Sequence, residues 1–239
     1  MHSCTGLRYF DAMVVDVVIP AYNEEMSICK VINAIPEGVV REVVVVNNNS
    51  TDRTAEVATA AGAVVLKEIF QGYGAACLKG IAHINAKEQL PDVLVFMDAD
   101  FSDHPEQIID VLEPIMKRGV AMVIGSRTLG KRQRGSMTPQ QMFGNWLATR
   151  MIKILYGAHY TDLGPFRAIQ MSVLNQIEMQ DPTYGWTVEM QLKIAKENLS
   201  FEEVPVNYKR RIGKSKIAGT FKGTILAGYK IITTILKYR

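Results

Sequence analysis

The strongest constraint on the fold is an alternation of short apolar runs with helical segments, repeated five times over the first 125 residues. The apolar runs are rich in β-branched residues and almost free of polar ones, as in VVDVVIP, REVVVV and VAMVIG. Strands of this composition are buried on both faces, which is typical of parallel sheets covered by helices. The sequence therefore predicts an α/β fold with a mostly parallel sheet and helices on both of its faces.

The length and composition favour one large domain, because 239 residues that are 48% hydrophobic can bury a substantial core. We predict an N-terminal extension over 1–13, one domain over 14–216 and a C-terminal amphipathic helix over 217–239. The predicted strands are 14–20, 41–46, 63–67, 93–97, 120–125 and 201–208, and the predicted helices are 26–34, 52–61, 73–86, 106–118, 138–156 and 187–197. TDLGPFRAI is expected to form a turn and a short strand.

Charge and cysteine content exclude several classes of function. A net charge of +3 is too small to indicate non-specific nucleic-acid binding. The three cysteines (Cys4, Cys29 and Cys77) are widely separated and lack the spacing of a zinc site, which indicates a reducing compartment. The first residues lack the apolar run of a signal peptide. We therefore expect a cytoplasmic protein that binds no nucleic acid.

Polar side chains follow four of the predicted strands, at the edge where open α/β sheets bind their ligands. Their positions are Tyr22 to Glu24, Asn47 to Asp52, Asp98 and Asp100, and Ser126 and Arg127. This clustering predicts a binding site at the carboxyl edge of the sheet.

Asp98 and Asp100 are the sharpest chemical signal in the sequence. Two carboxylates this close together after an apolar strand repel each other unless a cation offsets them. A hard divalent cation with oxygen ligands, shared with a diphosphate, fits the pattern and predicts metal ligands at both positions. A solvated turn is the alternative interpretation. Asp103 and His104 follow, but a helix N-cap with Pro105 in the first turn explains that pair equally well.

Five segments, in order and spacing, resemble glycosyltransferase family 2 with the GT-A fold: VVIPAYNEE, VVVVNNNSTDRT, QGYGAACLKG, VFMDADFSDHPE and VIGSR. TDLGPFRAI and YKRRIGKSKIAGT are similar to segments of its dolichol-phosphate-mannose synthase branch, the polyprenyl-phosphate glycosyltransferases. The resemblance covers about residues 14–220. It implies a GT-A nucleotide-diphospho-sugar transferase that depends on Mg²⁺ or Mn²⁺.

The resemblance also implies roles for individual residues. Donor binding is expected of Pro20, Tyr22, Glu24, Asn48, Asp52, Asp98, Arg211, Lys214 and Ser215, and a place at the reacting centre is expected of Asp98, Asp100, Arg127, Asp162, Arg167 and Glu189. Asp100 would be the principal metal ligand, Asn48 would face the base edge, and Arg127 would approach the donor sugar or the acceptor phosphate. The basic loop 210–216 would close over the diphosphate. A helix-dipole role for Glu24 and a merely solvated basic loop stay open as alternatives.

The chain departs from the family pattern in two places. The family usually shows DDGSTD after the second strand, whereas this chain has three asparagines, Asn47 to Asn49. An amide offers one acceptor and one donor group, which suits the edge of uracil, so a UDP-sugar is favoured over a GDP-sugar. Some lipid-phosphate members carry an acid where Pro165 stands here, which leaves Asp162 as the nearest substitute.

The absence of an acid at position 165 affects which acceptor the enzyme could use. A phosphate monoester is largely ionised near neutrality and can attack without a general base, whereas a sugar hydroxyl needs a positioned carboxylate. Glu189, in YGWTVEMQ, is the other acid that would serve as such a base, and a surface position on a helix is the alternative.

The C-terminal segment combines apolar and basic residues. On a helical period Phe221, Ile225, Tyr229, Ile232 and Leu236 share a stripe, and Lys222, Lys230 and Lys237 lie beside it. A spanning helix needs about 20 predominantly apolar residues, which excludes a transmembrane interpretation. A helix in the membrane interface is favoured over one docked on the protein core.

The sequence thus predicts an inverting transfer of one sugar from a nucleotide donor to a polyprenyl or dolichyl phosphate, at the cytoplasmic face of the membrane. The alternatives are transfer to a sugar hydroxyl in glycan or polysaccharide assembly, a sugar nucleotidyltransferase, and a non-catalytic nucleotide-sugar-binding protein. A membrane-protein partner or a homo-oligomer stays open.

Overall fold

The computed structural model describes residues 13–213 and 221–238, with the backbone alone for 221–225. The predicted N-terminal extension over 1–13, apart from Met13, and the predicted donor-binding residues Lys214 and Ser215 lie outside the described residues. The strands are β1 Val15–Ala21, β2 Glu42–Asn47, β3 Val64–Lys67, β4 Val93–Phe96, β5 Met122–Ser126, β6 Arg167–Gln170 and β7 Phe201–Pro205. The helices are α1 Ile28–Ala34, α2 Thr54–Ala60, α3 Tyr73–Asn85, α4 Ile108–Arg118, α5 Pro139–Tyr156, α6 Met171–Ile177, α7 Trp186–Lys196 and α8 Phe221–Lys237.

The strands form one seven-stranded sheet in the order β3-β2-β1-β4-β6-β5-β7. β6 runs antiparallel to its neighbours β4 and β5, and the other pairs are parallel. This confirms the predicted α/β fold with a mostly parallel sheet.

The sheet is buried on both faces because its central strands are apolar at nearly every position. Successive strand side chains point to opposite faces, so Val18 packs in the cluster that includes Ala76 and Cys77 of α3, while Val17 and Ile19 pack in the cluster on the other face. This two-sided burial explains why the strands show continuous apolar runs, and it fixes the polar residues to the strand ends.

The C-terminal helix α8 packs against α5 and α7. Ile235 and Thr234 of α8 are buried in this contact, and the Tyr156 hydroxyl of α5 donates to the Ile235 carbonyl at 2.5 Å. Helix α8 is therefore docked on the protein core, which was the less favoured of the two alternatives from the sequence. Leu226, Tyr229 and Leu236 of this helix are exposed. Over the described ranges, none of the helices combines the length and the apolar character needed to cross a membrane.

Candidate active site

A cavity of about 420 Å³ opens at the carboxyl ends of β1, β2 and β4. Its lining includes seven of the predicted site residues, namely Pro20, Tyr22, Glu24, Asn48, Asp98, Asp100 and Arg211. Parallel strands bring their carboxyl ends to the same edge of a sheet, which is why residues distant in sequence meet here. The predicted binding edge of the sheet thus contains a cavity of the size that holds a small molecule.

The three strands that end at the cavity each lead into a residue with left-handed backbone geometry. These are Asn23 after β1 (φ 53°), Asn49 after β2 (φ 62°) and Phe101 after β4 (φ 60°). Non-glycine residues rarely adopt this region, and asparagine tolerates it best. The left-handed conformation is least favourable for Phe101, because a bulky side chain makes no local hydrogen bond that would compensate for it. Backbone strain concentrates at functional sites, and here it turns the chain sharply at the cavity rim.

The turns after β1 and β2 are tied together by side chains. The Glu24 amide donates to Thr54 Oγ1 at 2.8 Å, and the Thr51 amide donates to Asn23 Oδ1 at 2.8 Å. Asp52 accepts hydrogen bonds from the Thr54 amide at 3.0 Å and the Glu25 amide at 3.2 Å. Asp52, predicted to bind the donor, therefore holds the two turns in register and does not line the cavity.

Asn48 is buried, and both of its polar groups are used within the protein. Its Oδ1 accepts the Gly72 amide at 2.8 Å, and its Nδ2 donates to the Phe70 carbonyl at 2.7 Å. The Gly72 N–H can only donate, so the atom that faces it must be the amide oxygen. Asn48 lies at the cavity as predicted. Its amide group holds the 68–72 loop in place, so it does not support a preference for uracil.

The acidic cluster lies after β4. Burial, followed by the charge of Asp100, raises the pKa of Asp98 to about 7. Burial and the carboxylates of Asp98 and Asp100 likewise raise the pKa of Asp103 well above its ordinary value. Asp100 Oδ1 accepts the Ser102 amide at 2.8 Å. The ionised forms of three neighbouring, poorly solvated carboxylates are therefore unfavourable unless a nearby positive charge offsets them.

Arg211 supplies part of that charge. Its guanidinium lies 2.7 Å from Glu24 Oε1 and 3.2 Å from Asp100 Oδ2, so it connects the end of β1 with the acidic cluster. The structure thus brings together three of the predicted site residues, with the arginine beside both carboxylates at the cavity.

The donor set suits a hard divalent cation. Carboxylate oxygens are the ligands that Mg²⁺ and Mn²⁺ prefer, and Mg²⁺ is commonly held by one or two carboxylates together with substrate phosphates. Across residues 13–213 and 221–238, no three acidic, histidine or cysteine side chains converge in a metal-binding arrangement. A cation at Asp98 and Asp100 would therefore need further oxygen ligands from the substrate or from water.

Four other residues predicted for the reacting centre do not line the cavity: Arg127, Asp162, Arg167 and Glu189. Arg127 and Asp162 form a bidentate ion pair, with Nε to Oδ2 at 2.8 Å and Nη2 to Oδ1 at 2.6 Å. Burial alone would lower the pKa of Arg127, but the charge and hydrogen bonds of Asp162 raise it, so the guanidinium stays ionised. Asp162, the nearest substitute for the missing acid, is fully buried, and both of its carboxylate oxygens are engaged by Arg127.

Arg167 and Glu189 are held by hydrogen bonds within the protein interior. Arg167 is fully buried, and it donates to the Gly164 carbonyl at 3.1 Å and to the Thr187 carbonyl at 2.9 Å. Burial lowers its pKa. Glu189 is also fully buried, and it accepts the amide of Asp181 at 2.6 Å. The structure therefore places Glu189 in the protein interior, bound to backbone amides, and not among the residues that line the cavity.

The cavity also contains residues that the sequence analysis did not single out, including Tyr73, Thr183 and Tyr184. Gly72 and Gly74 are the sequence feature that could have indicated a closely packed segment here. A Cβ on Gly74 would lie 1.9 Å from the Asp181 carbonyl oxygen, so another segment must pass directly over this turn.

The strand order, the strand-end cavity and the acidic cluster place the chain among GT-A glycosyltransferases. The chain belongs to glycosyltransferase family 2, since the sequence profile of Glycosyl transferase family 2 matches residues 16–178. This confirms the predicted family.

Similar proteins include members of the polyprenyl-phosphate branch. The chain is 31% identical over 227 residues to an undecaprenyl-phosphate mannosyltransferase of Micrococcus luteus, covering 88% of this chain and 90% of the relative. It is 31% identical over 231 residues to a dolichyl-phosphate hexose transferase of Haloferax volcanii, covering 93% and 94%. These relatives match the branch that the sequence motifs resemble.

Among solved structures, the chain is similar to glucosyl-3-phosphoglycerate synthase from Mycobacterium tuberculosis, crystallised with Mn²⁺, UDP and phosphoglyceric acid. The TM-score is 0.77 at 21% identity, covering 98% of this chain and 81% of the synthase. At that identity the likeness establishes the GT-A fold.

Proposed function

We propose that this glycosyltransferase moves one sugar from a nucleotide-diphospho-sugar to the phosphate of a polyprenyl or dolichyl phosphate, with inversion at the anomeric carbon. In this step an acceptor phosphate oxygen bonds to the anomeric carbon while the bond from that carbon to the donor diphosphate breaks. The nucleoside diphosphate leaves. Two groups of observations support the proposal. They are the contacts that Asp162 and Glu189, the candidate bases, make in the structure, and the acceptors named for the relatives.

The observation that carries the choice of acceptor is the absence of a free base among the acids predicted for that role. Asp162 is bound to Arg127, and Glu189 is bound to backbone amides away from the cavity. A sugar hydroxyl needs a general base, whereas an ionised phosphate does not. Relatives named as undecaprenyl-phosphate and dolichyl-phosphate transferases agree with the same acceptor class. Transfer to a sugar hydroxyl is the less favoured alternative.

The donor would occupy the strand-end cavity. Pro20, Tyr22 and Glu24 line the side that β1 contributes, and Arg211 lies beside Glu24 and Asp100, where it would stabilise the charge that develops on the departing diphosphate. A UDP-linked donor is the specific proposal. Its support is the fold neighbour crystallised with UDP, because Asn48 no longer argues for uracil.

Asp100 and Asp98 would hold Mg²⁺ or Mn²⁺, which would neutralise the donor diphosphate when bound. The support is the chemistry of the acidic cluster at the cavity, in which burial and the charge of Asp100 raise the pKa of Asp98 to about 7. The fold neighbour was crystallised with Mn²⁺.

Contact with the membrane is also proposed, through a surface that includes more than the C-terminal helix. Residues 128–161 contain five basic and no acidic side chains, and no acidic residue follows Glu203. Within the first segment α5 exposes Phe143 (61%), Trp146 (58%) and Ile154 (70%). Positive charge with exposed aromatic groups suits an anionic lipid interface. Lys230 forms an ion pair with Asp181, so it contributes less to this surface than the sequence suggested.

A donor screen tests the proposed function. Purified protein is incubated with a panel of nucleotide-sugars, with and without polyprenyl phosphate, and nucleoside diphosphate release is measured. We expect release that depends on polyprenyl phosphate and on Mg²⁺ or Mn²⁺. Failure to turn over any nucleotide-sugar would favour a non-catalytic binding protein, and release stimulated by glycan acceptors alone would favour the hydroxyl alternative.

A further inference from the structure

The segment 180–185 closes one side of the cavity. Thr183 and Tyr184 line it, and the segment packs against the turn that begins α3, where the Ala75 amide donates to the Pro182 carbonyl at 2.8 Å. The contact leaves no spare space, since a Cβ on Gly72 would lie 2.2 Å from the Pro182 carbonyl oxygen. Any shift of this segment therefore changes the shape of the cavity.

Two carboxylates hold the segment in place. Glu189 of α7 accepts the amides of Gln180 at 3.0 Å and Asp181 at 2.6 Å. The Asp181 carboxylate accepts the Thr183 amide at 2.8 Å, which fixes the turn that leads to Tyr184. The geometry of the cavity wall thus depends on the orientation of these two acidic side chains.

The C-terminal helix and the residue that follows it contact both carboxylates. Lys230 Nζ lies 2.8 Å from Asp181 Oδ2, and the Tyr238 hydroxyl, directly after α8, donates to Glu189 Oε1 at 2.6 Å. Burial would raise the pKa of Asp181, but the hydrogen bonds from Lys230 and Thr183 hold it below its ordinary value. The same helix packs Thr234 against Gly185, where a Cβ would lie 2.7 Å from Thr234 Oγ1.

We propose that α8 is a brace for the donor pocket, in which Lys230 and Tyr238 are positioning residues for nucleotide-sugar binding. Neither residue lines the cavity, and both act through Asp181 and Glu189 on the wall formed by Thr183 and Tyr184. The proposal rests on the proposed function in one respect, namely that the ligand of the cavity is a nucleotide-sugar.

The brace is tested first without any ligand, by amide hydrogen exchange over 180–185. Lys230→Met and Tyr238→Phe should each raise exchange in this segment, because the carboxylates that accept its amides lose a partner. Two matched controls lie on the same structural unit. Tyr156→Phe removes a hydrogen bond between α5 and α8, and Tyr229→Phe removes the hydroxyl of an exposed side chain of α8. The controls should leave exchange over 180–185 unchanged.

Kinetics with the nucleotide-sugar identified by the donor screen then test the consequence. Lys230→Met should raise the donor KM about fivefold, the factor that corresponds to ~1 kcal/mol for a partly exposed ion pair, with kcat nearly unchanged. Lys230→Arg keeps a cation for Asp181 and should restore most of the affinity. Tyr156→Phe and Tyr229→Phe should keep the wild-type KM.

The outcomes separate the two proposals. Unchanged exchange over 180–185 in both variants overturns the brace, and so does a KM change that Tyr156→Phe reproduces. A wild-type protein that turns over no nucleotide-sugar contradicts the proposed function, while the exchange experiment still decides whether α8 holds the cavity wall.

Discussion

Replacing Asn48 with aspartate distinguishes a loop brace from a base-reading residue. The amide nitrogen of Asn48 donates to the Phe70 carbonyl at 2.7 Å, and it also lies 3.4 Å from the Glu68 carbonyl. A carboxylate at this position keeps the bond from the Gly72 amide but places an acceptor oxygen against two carbonyl oxygens. The substitution therefore removes a donor from a buried site and creates repulsion in its place.

The cost follows from the burial of the site, where Asn48 is only 7% exposed. A buried acceptor left without its donor costs about 1–3 kcal/mol. We expect Asn48→Asp to lower the free energy of unfolding by about 2 kcal/mol, in the middle of that range. Because the 68–72 loop lines the cavity, the affinities for UDP and GDP should fall by similar factors.

The assay combines urea unfolding with nucleotide titration by calorimetry in the presence of Mg²⁺. Asn49→Asp is the matched control, since it makes the same chemical change at the exposed neighbouring position. It should leave both stability and nucleotide affinity close to wild type. If Asn48→Asp leaves stability unchanged but alters the ratio of UDP to GDP affinity, Asn48 reads the base and the loop-brace assignment is wrong.

Three further substitutions test other parts of the site. Asp100→Asn should nearly abolish transfer while leaving the fold intact, as measured by activity against Mn²⁺ concentration and by circular dichroism. Asp162→Asn should lower stability by about 3 kcal/mol in urea unfolding, the low end of the range for a buried pair, because it leaves the mostly buried Arg127 guanidinium without its counter-ion. Replacing Phe143 and Trp146 with serine should weaken co-sedimentation with anionic vesicles and leave stability nearly unchanged, because both side chains are exposed.

Each of these three predictions has a control variant or a result that would contradict it. Wild-type activity and metal dependence in Asp100→Asn would remove Asp100 from the metal site. Glu202→Gln disrupts an exposed ion pair with Arg118 and should have almost no effect on stability, so an equal loss in both acid-to-amide variants would contradict the special role of the buried pair. Ile109→Ser, at an exposed position on α4, should not change vesicle binding.

The sequence could predict the fold and the place of the site because both depend on local patterns. Continuous apolar runs such as Val43 to Val46 require burial on both faces, and that requirement leaves the strand ends as the place for polar residues. Asp98, Asp100 and Glu24 therefore met at the cavity as expected. The short strand expected within TDLGPFRAI corresponds to β6. Its antiparallel place between β4 and β5, and the short helix α6, left no comparable pattern.

The partners of individual polar side chains could not be predicted, because they come from distant segments. Arg167 and Glu189 have the residue types of catalytic groups, yet tertiary contacts bury both of them. Asn48 lies where the family pattern has an acid, but the carbonyls of the 68–72 loop use its amide group. Thr183 and Tyr184 reach the cavity only because the glycines at 72 and 74 admit their segment. Sequence spacing contains none of these contacts.

The most direct test of the proposed function compares two acceptors that differ only in the phosphate. Purified enzyme is given a labelled nucleotide-sugar, Mg²⁺ or Mn²⁺, and either a polyprenyl phosphate or the polyprenol of the same chain length, and the lipid products are identified by mass spectrometry. Because an ionised phosphate needs no general base, we expect one sugar to be added to the polyprenyl phosphate and none to the polyprenol. Equal transfer to both lipids, or transfer to a glycan hydroxyl with none to the phosphate, would contradict the proposed acceptor.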